Sequence, residues 1–69
     1  MYYLVLYDKK KRKHSFFAGY DSSEDIGLRW SERRLEASKL TENRVFELLR
    51  YVRLHMNPND YSAFVYELS

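Results

Sequence analysis

Between Thr41 and Asn57 the chain repeats Val45, Leu48, Leu49, Val52 and Met56 at three- and four-residue intervals, and this pattern restricts the fold more than any other. Residues so spaced share one side of an α-helix as an apolar stripe about 100° wide, which is unfavourable in water until another element covers it. Thr41 offers an N-cap oxygen, Glu42 complements the positive end of the helix dipole, and Asn57-Pro58 stops the run. A chain of 69 residues has room for one core, so residues 1–69 are expected to form a single small domain. At this size the core is expected to leave a net stability of roughly 3–5 kcal/mol. The cover for the stripe must come from what flanks it, and both flanks carry strand-forming residues.

Tyr2 to Tyr7 and His14 to Tyr20 are rich in Val, Tyr and Phe, and the polar stretch Asp8 to Lys13 separates them. Two strands and a turn predict a hairpin. The turn has no Asn-Gly or Asp-Gly pair, so it is expected to be longer and looser than a two-residue one. Tyr61 to Leu68 reads as a last strand, well paired because both of its faces, Tyr61/Ala63/Val65 and Phe64/Tyr66/Leu68, are apolar or aromatic. Ser22 to Leu40 admits two readings. One is a helix, with Ser22 and Asp25 as a capping box and Ile26, Trp30, Arg34 and Ala37 near one face, although Gly27 and Arg34 spoil the stripe. The other is a loop bearing Trp30, then a short third strand around Leu35 to Ser38 with Leu35 and Ala37 inward. The fold class is α+β in either case: a small antiparallel sheet with one amphipathic helix packed on one face.

The composition argues against most chemistries. Without cysteine there is no disulfide framework, thiol nucleophile or zinc ribbon, which favours a cytoplasmic setting. Met1 to Tyr7, the longest apolar run, falls far short of the roughly 20 residues of a spanning helix, so no membrane partner is expected. Asp21-x-Ser23-x-Asp25, with Leu28 and Glu32 after it, resembles part of a calcium loop, but Ile26 stands where the sharp turn needs glycine and Gly27 comes one place late. His14 and His55 have no cysteine to complete a metal set, so no metal is expected. No Gly-x-Ser-x-Gly elbow is present, and two glycines cannot build a phosphate-cradling loop or a dinucleotide fingerprint, so no cofactor is expected. Glu32 and Glu36 read as exposed charges among Arg29, Arg33 and Arg34 rather than as a catalytic pair. These exclusions lead to the expectation of a protein without enzymatic activity.

What is left is surface chemistry. Twelve cations against ten anions give a net charge of only +2, but five cations are consecutive: Lys9, Lys10, Lys11, Arg12 and Lys13. A solubilising hairpin tip and a phosphate clamp are both open to such a block, and with aromatic rings on a sheet it is the basis of a nucleic-acid alternative. If Leu4 and Leu6 face the helix, then Tyr3, Val5 and Tyr7 share the opposite side of the first strand, and an aromatic face of this kind suits a protein interface. Trp30, with Arg29, Arg33 and Arg34 around it, is either a second anchor for a partner or a cap on the small core.

The aromatic opening hairpin, Trp30-Ser31, and then Ala37, Leu40 and Thr41 leading into an amphipathic helix and a final strand resemble small phage and prophage proteins of ββ(β)αβ build. That resemblance covers most of the chain and implies a third strand; because those proteins share no single activity, it assigns no reaction. The sequence thus predicts a binding module, a phage or mobile-element accessory or inhibitor protein that occludes a host protein's surface or associates with itself as a homodimer. Tyr3, Tyr7, Trp30, Arg29, Arg33 and Arg34 are its candidate contacts, and Lys9 to Lys13 are those of the nucleic-acid alternative.

Overall fold

In the computed structural model, which describes residues 1–69, the strands are β1 (Tyr2–Asp8), β2 (Lys13–Tyr20), β3 (Leu28–Ser31) and β4 (Tyr61–Glu67), and one helix, α1 (Glu42–His55), precedes the last strand. The strands form a single antiparallel sheet in the order β3-β2-β1-β4. This is the α+β architecture with ββ(β)αβ order that the sequence predicts. The chain's first strand therefore lies inside the sheet, beside its last.

The helix begins where the cap places it: Thr41 Oγ1 accepts the Arg44 N–H at 3.3 Å. Val45, Leu48, Leu49 and Val52 are buried against Leu4 and Leu6 of β1, Phe17 of β2 and Leu28 of β3, and Met56 packs against the same cluster while half-buried. Alternation along the strands selects these partners, since every second side chain faces the helix. In the hairpin turn the Asp8 carboxylate accepts the N–H groups of Lys10 and Lys11 at 3.0 and 3.1 Å, and Arg12 adopts a left-handed φ of 55°. The turn is thus a four-residue loop closed by an aspartate, as expected where no Asn-Gly or Asp-Gly pair is available.

Residues 22–40 follow neither of the two readings offered by the sequence. The third strand comes earlier, at Leu28–Ser31, and Trp30 lies within it, because Leu28 and Trp30 alternate inward with Arg29 and Ser31 outward. A helix is ruled out by Ile26 at φ 55° and Gly27 at φ 76°, two successive left-handed residues that turn the chain into β3. For a β-branched side chain that conformation is strained, and the Tyr51 hydroxyl donates to the Ile26 carbonyl at 2.8 Å to hold it. Leu35 does not point inward. It lies in a short 3-10 turn, Arg34–Glu36, and is fully exposed. The following residues instead enter the gap between β1 and β2, whose direct pairing stops at Val5 and Phe16. There Ser38 N–H donates to Phe17 C=O at 2.9 Å, and Tyr2 and Leu40 exchange both backbone bonds at 2.8 Å.

β4 pairs with β1 along its full length, from Tyr2 opposite Glu67 to Asp8 opposite Tyr61. No strand lies on its other side, so its pairing is one-sided.

Candidate interaction surface

Helix α1 covers one face of the sheet. On the other, the register brings together Tyr3, Val5 and Tyr7 of β1, His14 and Phe16 of β2, and Phe64 and Tyr66 of β4. Val5 sits between Phe16 and Phe64, and Tyr3 lies beside Tyr66. The rings engage one another: Tyr3 meets Phe16 edge-on at 5.6 Å and stacks on Tyr66 at 6.4 Å, while His14 contacts Tyr7 at 4.7 Å and Phe64 at 6.0 Å. Such pairs contribute about 0.5–1.5 kcal/mol each beyond the area they bury. Together with Arg34 they cover this side, leaving Val5 only 3% exposed and Tyr3 7% exposed with α1 on the opposite face. Phe64 and Tyr66, toward the β4 edge, remain 39% and 49% exposed. A shallow depression of about 270 Å³ runs across this face.

The turn Arg34–Glu36 leans over the same face. The Arg34 guanidinium lies 6.0 Å from the Tyr3 ring centre and 5.9 Å from that of Tyr66, so a cation rests on two aromatic faces. Arg29 donates to Ala18 C=O at 2.8 Å and pairs with Glu36 at 4.0 Å; Glu36 accepts the Ser31 hydroxyl, whose oxygen in turn accepts the Arg33 N–H at 3.1 Å. These bonds fix the turn that presents Leu35.

The residues singled out from the sequence separate into two groups. Tyr3, Tyr7, Arg29 and Arg34 share the outer face, and Arg33 lies exposed beside it. Trp30 faces the helix side instead, meeting Phe17 edge-on at 6.2 Å and closing the β3 end of the core while half-buried. The basic block splays apart. Lys9 Nζ donates to Pro58 C=O at 2.8 Å, Lys10 lies 3.9 Å from Asp60, and Lys13 lies 3.8 Å from Glu32. Exposed pairs of this kind contribute at most about 1 kcal/mol, so they orient the lysines more than they stabilise the fold. Lys11 and Arg12 occupy the tip, next to the Tyr7–His14 end of the aromatic face.

Phe16, Phe64, Tyr66 and Leu35 belong to this surface although none was singled out as a contact. Alternation along each strand held the signal for the aromatic three, but only the pairing register shows that they converge. Elsewhere, Asp21 accepts the Ser23 hydroxyl at 2.7 Å and its N–H at 3.0 Å. Those two bonds, with Arg29 as a lesser contributor, hold its carboxyl below the ordinary value of 3.8. The same bonds give the calcium-like stretch a role as an ordinary side-chain turn. Tyr2 ionises above its ordinary value of 10.0, through partial desolvation first and the nearby Glu42 and Glu67 charges second. His55 meets the Tyr51 ring at 4.5 Å in a tilted arrangement at the end of α1, on a different element from His14.

Comparison of the chain with protein-family models, curated proteins and solved structures gives no match. No helix in the molecule is long and apolar enough to cross a membrane.

Proposed function

We propose that this chain is a non-enzymatic protein-binding module, an accessory or inhibitor that acts by covering a partner's surface. The observation that carries this reading is the helix-free sheet face. Exposed Phe64 and Tyr66, the Arg34 guanidinium laid across two rings, and the fully exposed Leu35 at the rim form one surface of mixed aromatic, basic and apolar character. Aromatic residues and arginine supply most of the strong contacts in protein interfaces, and a fixed apolar tip beside them suits a partner's hydrophobic pocket. A broad, shallow face binds without the deep cavity that a small substrate requires. The resemblance to small phage proteins is in keeping with such a role in a host cell.

A second reading, nucleic-acid binding, is favoured by the continuity between the Lys11–Arg12 tip and the Tyr7–His14 end of the same face, where cations and rings adjoin. Affinity capture from the host, with the wild-type chain and the double variant Arg34→Glu/Leu35→Ser, separates the two. The protein-binding reading expects a specific protein that the variant no longer retains. Capture of nucleic acid alone, released by salt and indifferent to Leu35, would refute it and favour the second.

A further inference from the structure

Two backbone bonds fix the phase of the ladder between β1 and β4: Lys9 N–H donates to Asp60 C=O at 2.9 Å, and Leu68 N–H to Met1 C=O at 2.8 Å. Antiparallel ladders alternate, so in the observed register the bonds to β1 are made by Ser62, Phe64 and Tyr66. The N–H and C=O groups of Ala63, Val65 and Glu67 point off the sheet. Within the chain, Ala63 C=O accepts from the Arg53 guanidinium at 3.1 Å, and Val65 offers both of its groups to whatever adjoins the edge.

We propose that this edge pairs with the same edge of a second copy, β4 antiparallel to β4 about a two-fold axis at Val65, giving a continuous eight-stranded sheet. The proposal takes up the homodimer that the sequence analysis raises and rests on the reading of the chain as a binding module. With the axis at Val65, each copy's Val65 exchanges two backbone bonds with its mate, and Ala63 lies opposite the partner's Glu67. Side chains then match on both faces. On the outer face, Phe64 stands opposite the partner's Tyr66 in the close, non-hydrogen-bonded type of pair, and the two-fold repeats that lateral contact, extending the aromatic face across the joined sheet. On the helix face, the partner's Glu67 lands beside Ala63, where Arg53 is already held. Neither Arg53 nor Glu67 has an ion-pair partner in its own chain. The two-fold axis makes the Arg53–Glu67 contact twice. Moving the axis to Phe64 would set Glu67 opposite Tyr61 and leave both charges unmatched.

Apolar surface beside this edge adds to the contact. Strand pairing alone covers less than the roughly 800 Å² per partner of a stable dimer. However, α1 packs on β1 and β4, and the shallow groove beside Arg53 contains Phe46 and Leu54, which are 49% and 75% exposed. Their copies would meet on the same side of the joined sheet. A charge at a strand edge discourages pairing with unrelated chains, and an edge that brings its own countercharge admits its own copy. The opposite edge, β3, is only four residues long and offers no comparable ladder.

Sedimentation equilibrium of the whole chain from about 1 to 500 µM measures the association directly. The wild-type chain is expected to dimerise. Val65→Pro removes an N–H that β1 does not use, so it is expected to be monomeric with an unchanged circular dichroism spectrum. Should the proline unfold the chain, the charges decide: Arg53→Glu and Glu67→Arg are each expected to weaken the dimer about ten-fold or more, and the two together to restore it. A wild-type chain that stays monomeric, or a dimer indifferent to both single reversals, overturns the proposal. Neither result touches the Arg34→Glu/Leu35→Ser capture experiment, whose residues lie outside β4 and which judges the outer face separately.

Discussion

Val5 tests whether the helix-free face of the sheet is a true second core. It is 3% exposed beneath aromatic side chains and Arg34, with no part of α1 over it. Val5→Ala removes the equivalent of two methylene groups, about 1.6 kcal/mol at about 0.8 kcal/mol each if the site is dry and closed. For a domain of this size each kcal/mol moves the melting temperature by about 4–8 °C, so a fall of roughly 6–13 °C is expected. That is a third to a half of the roughly 3–5 kcal/mol available to so small a core. Val5→Thr serves as a companion, since it keeps the branched shape and the strand preference while burying a hydroxyl, at a cost of about 1–3 kcal/mol. Urea unfolding followed by Trp30 fluorescence at low protein concentration is a suitable assay, because Trp30 lies on the opposite side of the sheet and reports global unfolding. A change below about 0.5 kcal/mol for both variants, with an unchanged slope, is what a solvent-exposed site gives and would refute the closed second core.

Leu49→Asp places an unpaired charge in the helix stripe and is expected to abolish folding, seen as loss of the cooperative thermal transition; a normal transition would contradict the orientation of α1. Tyr51→Phe removes the hydroxyl that holds the Ile26 carbonyl and is expected to lower stability by about 0.5–1.5 kcal/mol in urea unfolding. Asp21, with its carboxyl below 3.8 in the folded state, contributes stability that is fully present above that value and is lost as pH falls through the folded one. Asp21→Asn should therefore flatten the fall in urea midpoint as the pH is lowered below 3.8.

Much of the architecture was legible because helix, cap and hairpin are local. The stripe from Val45 to Met56 sits beside its own N-cap, and two aromatic runs flank one polar turn. The third strand escapes a local reading because four residues are too few to display a period, and because the two left-handed residues before it are an isoleucine and a glycine that fit a helical pattern equally well. Leu35 misled for a related reason: apolar character suggests burial, yet the Arg29, Ser31 and Glu36 contacts fix its turn with the leucine outward. As for the surface, Tyr3 and Tyr7 followed from simple alternation along β1. Phe64 and Tyr66 join them only through a pairing between the two ends of the chain, which no local pattern encodes.

That pairing has a kinetic consequence. Hairpin β1–β2 closes a four-residue turn and can form within microseconds, whereas β4 must return to β1 across a separation of roughly sixty residues, among the longest this chain allows. Until it arrives, β1 has an open side, and a β4 strand from any neighbouring copy matches that side as well as the chain's own does. At low concentration the tether decides in favour of the chain's own strand, because it keeps that strand at a high effective concentration. At high concentration, or if the short Asn57–Asp60 connection is stiffened, the same complementarity favours exchange of β4 between copies. Monomer and swapped dimer would then share every contact of the fold and differ only in whose last strand completes whose sheet.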